Sequence, residues 1–317
     1  MQVLAKFAKT QPHAAFATFT HCLQACWTFL CRTIPGAGIF LRPLEDCIRN
    51  EFLPSLIKRE ISDTERDLLS LPAKFGGLGI FNPCERATSS LPYSEALCAP
   101  LVALVMRQAD AELFNPAELR EDLKNIRAFQ DFDMDRRMKA ISALLPPETQ
   151  RGIVLAREKG ASNWVTAMPS EEHGTILHKG DFVDAIYMRY GWPILSLPLQ
   201  CACGAPFSVQ HSLDCLLGGF RTLQHNEVRD LFAECLREAH FHSVETEPQL
   251  QALSGEVFEL KSANKDDDAR SDVKCLGFWR KMRQAYFDIK VVSPLARSHL
   301  RKTPSRISAE AEEIENA

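Results

Sequence analysis

No stretch of this 317-residue chain approaches the roughly 18 consecutive apolar residues of a membrane-spanning helix. The nearest, residues 14–30, is interrupted by Thr20, His21, Gln24 and Thr28 and reads as a buried helix. No apolar signal run opens the chain, and its eleven cysteines are odd in number and follow no even spacing. These absences argue against a membrane partner and a secreted disulfide scaffold; they point to a reducing intracellular setting, nuclear or cytoplasmic. An excess of one charge is lacking too: 37 basic residues against 41 acidic ones leave a net charge of −4. The whole molecule therefore does not attract phosphate backbones, and any nucleic-acid site must be a local patch.

What is present is a hydrophobic content of 45%, enough over this length for two domains. The spacing of Val3, Leu4, Phe7, Phe16, Phe19, Leu23, Trp27 and Leu30 predicts helix over most of residues 1–33, broken at Pro12. Within it, His21, Cys22 and Cys26 read as small residues on a packed face rather than as metal ligands. Further helices are predicted over 41–58, from Ser62 with Glu65 completing a capping box, and over 93–110, 116–145, 147–159 and 179–190. The run Gly76-Gly77-Leu78-Gly79 lacks the flanking strand and helix of a phosphate loop and reads as a tight turn. Asp131, Asp133 and Asp135 open like a calcium loop, but no glycine or glutamate follows at the required places, which leaves a solvated helix face.

Two patterns in the second half carry chemistry. Cys201, Cys203, His211 and Cys215 supply three thiols and an imidazole within fifteen residues, the four-ligand set of a structural zinc site; the bland alternative is a polar loop without metal. Gly204 suits a knuckle turn after the second thiol. Downstream, Asp272 is followed by Asp288-Ile289-Lys290 at the end of an apolar run, the acid and D-x-K arrangement of a restriction-type nuclease. Two carboxylates there can share Mg²⁺ while Lys290, two residues on and hence on the same strand face, steadies the attacking water. The alternative is an ordinary strand with a charged solvated side. A helix over 226–240 with Val228, Leu231, Phe232, Cys235 and Leu236 on one face would precede strands over 243–250, 272–278 and 285–292. From Arg270 to Lys302 nine basic residues face only two acids, which makes Arg280, Lys281 and Arg283 the expected nucleic-acid patch. Glu234 reads as a solvated helix position, and Asp266, Asp267 and Asp268 as a solvated turn.

In order, Pro72-Ala-Lys-Phe-Gly-Gly-Leu-Gly, Gly160-Ala-Ser-Asn-Trp, His178-Lys-Gly-Asp-Phe, the Cys/His cluster, His225-Asn-Glu-Val-Arg229-Asp, and then Asp272 and Asp288 run through nearly the whole chain. The series resembles the C-terminal part of non-LTR (LINE-type) retrotransposon polyproteins that carry a restriction-like endonuclease. The resemblance implies an α+β chain: a mostly α-helical N-terminal half, a small zinc knuckle, then a PD-(D/E)xK-like α/β nuclease module. The expected divisions are a helical thumb and linker over 1–160, a linker helix and knuckle over 161–220, the endonuclease-like domain over 221–300 and an acidic, disordered tail over 301–317. Met1 would fall inside the thumb. DNA and the element's own RNA are the implied partners, with structural Zn²⁺ and catalytic Mg²⁺ as cofactors. Glu247, which precedes Pro248, would be a third acid at the Mg²⁺ site, and His225 and Arg229 would contact nucleic acid. No aromatic-x-Asp-Asp hairpin is present, so polymerase catalysis is not expected.

The chain departs from the family in three places. One residue separates Cys201 from Cys203 where relatives have two or three; Ser271 replaces the proline before the first acid; and little chain follows Pro294, so the fold's last helix and strand are expected to be absent or replaced. Two functions stay open from the sequence: a metal-dependent DNA endonuclease, or a zinc-containing nucleic-acid-binding remnant without turnover.

Overall fold

The computed structural model describes residues 1–107, 116–194, 196–250, 270–296, 298–299 and 301–315. The chain is α+β, with many helices and a three-stranded antiparallel sheet, and it divides into Met1–Leu195 and Ser196–Ala317.

The first unit is helical. Its core runs from Ala5 to Trp192 in sequence and includes Phe19, Phe52, Leu56, Leu68, Ile80, Phe182 and Tyr190. The expected long opening helix is instead Pro12–Ala17, a π turn at Thr18–Cys22, a tight turn at Leu23–Ala25 and a helix at Thr28–Thr33. Those irregular turns change the register, and Cys22 and Cys26 are exposed rather than packed. The helix Asp63–Ser70 starts as the sequence predicts: the Glu65 amide donates to Ser62 Oγ at 3.2 Å and the Ser62 amide to Glu65 Oε2 at 2.8 Å. Behind it lies a buried bidentate pair, with Arg66 Nε and Nη2 each 2.7 Å from a Glu45 carboxylate oxygen and Nη1 donating to the Ile80 carbonyl at 2.8 Å.

The glycine run is a turn, as expected. A Cβ on Gly77 would lie 1.9 Å from the Leu71 carbonyl oxygen, so only glycine fits the close passage of the two backbones. The end of the Lys179–Tyr190 helix clamps this turn: Tyr190 Oη donates to the Gly76 carbonyl at 3.0 Å and Arg189 Nη2 to those of Ala73 and Gly77 at 3.2 Å each. That clamp explains why residues 161–194 belong with the first unit, whereas the sequence suggested a boundary near residue 160. Asp131, Asp133 and Asp135 pair with Lys74, Arg136, Lys139 and Arg157 along Pro116–Ser142.

Among the described residues one helix, Pro83–Met106, is long and apolar enough by length and composition to cross a membrane, although it holds no uninterrupted run of 18 apolar residues. Residues 96–106 are free of polar side chains, but Glu85, Arg86, Thr88, Ser89, Ser90, Ser94 and Glu95 interrupt the first half.

In the second unit the Phe220–Glu238 helix packs on a sheet ordered β1 (His242–Thr246), β2 (Val273–Leu276) and β3 (Gln284–Phe287). Its core is small: Ala233, Leu236, Val273, Cys275 and Ala285, with Phe232, Phe241, Phe278 and Phe287 packed against them. The inward helix face is the predicted one only at Phe232 and Leu236. Arg229, Ala233 and Leu236 are buried, while Val228, Leu231 and Cys235 are exposed. Among the described residues no fourth strand follows β3. The expected disordered tail is instead a helix, Pro304–Glu315, held at its start by Lys302 and Arg306 on Glu310.

Candidate functional site

The Cys/His cluster is built by a small hairpin followed by a short helix. Gln200 and Pro206 bridge in antiparallel fashion, and the Cys201 amide donates to the Ala205 carbonyl at 2.9 Å. The turn closes through Gly204, whose φ of +83° glycine adopts without cost and whose amide donates to the Cys201 carbonyl at 2.9 Å. Ser208 then caps the Val209–Asp214 helix by accepting from the His211 amide at 3.0 Å. The helix carries His211 inward and delivers Cys215 at its end, where the Cys215 amide donates to the His211 carbonyl at 2.8 Å.

The ligand atoms of Cys201, Cys203, His211 and Cys215 all lie within 4.8 Å of one another, the only such group of three or more among the described residues. Cys201 and Cys215 Sγ are 3.7 Å apart, and Cys203 Sγ is 3.2 Å from His211 Nε2. Zinc–sulfur bonds of about 2.3 Å at the tetrahedral angle would separate two sulfurs by about 3.8 Å. The short Cys201–Cys203 spacing therefore costs the cluster nothing, because the knuckle turn folds both thiols to one side. Hydrogen bonding from the Leu217 backbone, with the neighbouring Cys201 and Cys203 thiols, holds the Cys215 thiol below its ordinary pKa, toward the thiolate that binds metal. The cluster can hold a metal ion such as zinc.

The acids of the second pattern lie at one end of the sheet. β2 and β3 pair with Val273 opposite Phe287, and the Asp272 amide donates to the Phe287 carbonyl at 3.1 Å. Continued one step past this pair, an antiparallel register would put Asp272 opposite Asp288, and opposed residues share a face. Asp288 and Lys290 are exposed just beyond β3, so the predicted strand to residue 292 ends early. The ladder itself ends there, since Val273 opposite Phe287 is its last pair.

Asp272 is half-buried and already engaged. Its Oδ2 accepts the Ile289 amide at 2.6 Å and lies 3.3 Å from His225 Nε2, which is itself 3.0 Å from the Ile289 carbonyl oxygen. Four residues along the same helix, Arg229 pairs with Asp230 at 2.8 Å and with Glu247. Glu247, at φ +51°, donates its amide to the Asp272 carbonyl at 2.9 Å, and its carboxylate faces Arg229 and, at 3.8 Å, Arg270. The structure thus does not gather Glu247 with Asp272 and Asp288 into a three-acid group.

Two further expectations change. Arg229 is buried in ion pairs, so it is not a free cation for phosphate, and His225 contacts protein oxygens. The sequence signal that could have shown this is the spacing of 225, 229, 232, 233 and 236, a single helix stripe passed over because its first two members are polar. Arg280, Lys281 and Arg283 are exposed on the loop between β2 and β3, as expected of a nucleic-acid patch. Glu234 sits on the helix among Asp230, Arg237 and Glu238, lining a shallow surface hollow. Asp266, Asp267 and Asp268 lie outside the described residues.

No protein-family profile matches the chain, and no curated protein is significantly similar to it.

Proposed function

We propose that the second unit is the restriction-like endonuclease module of a non-LTR retrotransposon polyprotein, cutting DNA phosphodiester bonds with Mg²⁺ beside a structural zinc knuckle. What supports this reading is the β2–β3 register, which ends at Val273 opposite Phe287 and, continued by one step, would put Asp272 opposite Asp288 at the open end of the two strands. Mg²⁺ keeps most of its waters and takes one or two carboxylates, so two acids on neighbouring strand ends suit it. When bound there it would polarise a phosphate oxygen and lower the pKa of a bound water. Lys290, two residues past Asp288, supplies positive charge beside the scissile phosphate. The knuckle residues Cys201, Cys203, His211 and Cys215 form a closed four-ligand set with no open position, which suits a structural Zn²⁺.

A second reading, a zinc-containing nucleic-acid-binding remnant without turnover, draws support from one observation. The Asp272 carboxylate is taken up by the Ile289 amide and His225 instead of standing free. Nicking of a supercoiled plasmid separates the two. An endonuclease nicks in Mg²⁺ while its Asp288→Ala and Asp272→Ala variants do not, with DNA binding kept. Equal trace nicking by all three would leave the remnant.

A further inference from the structure

The loop between β2 and β3 carries an exposed indole among cations. Trp279 is 76% exposed and Met282 77%, while Arg280, Lys281 and Arg283 are all exposed and form no ion pair among the described residues. Residues 277–287 contain no acid.

The loop is held in place from below. Gly277 (φ +93°) donates its amide to the Arg283 carbonyl at 2.8 Å, the Arg283 amide donates to that of Arg280 at 3.1 Å, and Met282 takes a φ of +62°. Phe278 anchors the turn against Phe241 and Phe287, with centroids 5.3 and 4.9 Å away, and meets the Trp279 ring edge-on at 4.6 Å. Burying an indole of this size would be worth a few kcal/mol, yet the fold packs the half-buried Phe278 against its core and turns Trp279 outward. A rigid π face flanked by unpaired cations is the combination that stacks on an unpaired base and holds the phosphates either side of it. In duplex DNA the bases are already stacked on one another, and such a face has nothing to meet.

We propose that this loop binds an unpaired nucleic-acid strand, with Trp279 stacked on a base and Arg280, Lys281 and Arg283 on the flanking phosphates. The inference rests on the proposed nucleic-acid role of this unit and names the form of strand it takes.

The test uses the full chain, zinc-loaded, with labelled oligothymidylate, oligouridylate and a duplex, each of about 20 nucleotides or base pairs, longer than the ~4–16 nucleotides that a single-strand-binding OB-fold covers. Wild type should bind the single strands more tightly than the duplex. Trp279→Ala should weaken single-strand binding roughly 5- to 150-fold, with Trp279→Phe retaining most of the affinity. Should Trp279→Ala melt early, Trp279→Leu keeps apolar contact with Phe278 but no π face, and carries the same expectation. Replacing Arg280, Lys281 and Arg283 together by alanine should lower the salt slope by about 2, whereas Trp279→Ala should leave it unchanged. Tighter thymidylate assigns the strand to DNA and tighter uridylate to RNA; either supports the loop. Duplex bound as tightly as single strands, or an unchanged affinity in Trp279→Leu, overturns it. Loss of binding in Trp279→Leu together with no Asp288-dependent nicking would keep the loop and discard the endonuclease.

Discussion

The first unit folds round a core rich in phenylalanine, leucine and isoleucine, with a charged pair inside it that is 3% and 7% exposed at Arg66 and Glu45. Among the described residues of the second, the helix and sheet share a cluster of just Ala233, Leu236, Val273, Cys275 and Ala285, and the last strand of the three-stranded sheet lies at its edge. A core that small seldom supplies more than about 3–5 kcal/mol, and small domains then draw on metals or disulfides. Its cysteines are all free, so the Cys/His cluster is the device available. A large core tolerates buried ions; a small one stands to gain most from a ligand-held metal.

The strongest way to break this comparison is to remove the metal. Metal analysis of purified protein should find close to one zinc per chain. A strong chelator, or Cys215→Ser, should abolish the unfolding transition of the second unit and leave that of the first in place, because structural zinc contributes on the order of 10 kcal/mol. Two unchanged transitions by calorimetry, or folded protein without zinc, would show that the small core suffices. The opposite substitution sharpens it. Glu45→Gln or Arg66→Met leaves one uncompensated buried charge and should cost the first unit about 3–5 kcal/mol, while replacing both residues with apolar ones of similar volume should cost far less.

Much of the first unit was legible in the sequence because its signals are local. Ser62 and Glu65 form their box, Lys179–Tyr190 falls where periodicity set it, and the glycines turn where they should. What escaped was non-local. Nothing near residue 160 announces that Arg189 and Tyr190 will close on the turn at residues 73–77. In the second unit the ligand set of the cluster was legible, since four donors lie within fifteen residues. The inward stripe of Phe220–Glu238 was legible only at Phe232 and Leu236. Counting apolar residues favours Val228, Leu231 and Cys235, but His225 and Arg229 find carboxylates on the sheet and draw the other stripe inward.

That stripe gives a smaller, sharper test. His225 Nε2 joins the Asp272 carboxylate to the Ile289 carbonyl, and so fixes the chain end that carries Asp288 and Lys290. His225→Ala should speed amide exchange at Ile289 and lower Mg²⁺-dependent nicking by about 10- to 100-fold, the usual effect of removing a group that orients a metal ligand. His225→Gln, which can still place a donor near the Nε2 position, should recover part of both. Unchanged exchange at Ile289 in the alanine variant would remove His225 from this role.

The smallest expected effect lies in the first unit, at the helix start the sequence read correctly. Burial pushes the Glu65 carboxyl up, but hydrogen bonds from Arg59 and the Ser62 amide outweigh it and hold the group below its ordinary value. A carboxylate depressed in the folded state stabilises the fold fully above its unfolded pKa of about 4.3, and that contribution is lost as pH falls toward the folded value. Glu65→Gln keeps the shape of the cap but gives up the charge shared with Arg59 Nη2, 2.6 Å away. It should therefore cost about 1 kcal/mol at neutral pH, within the range for a helix cap. The cost should stay flat down to about pH 5 and shrink below about pH 4.3, as wild type loses the same charge by protonation. A wild-type advantage that instead grew on acidification, measured by denaturant unfolding of the first unit across that range, would mean Glu65 is not held ionised by Arg59.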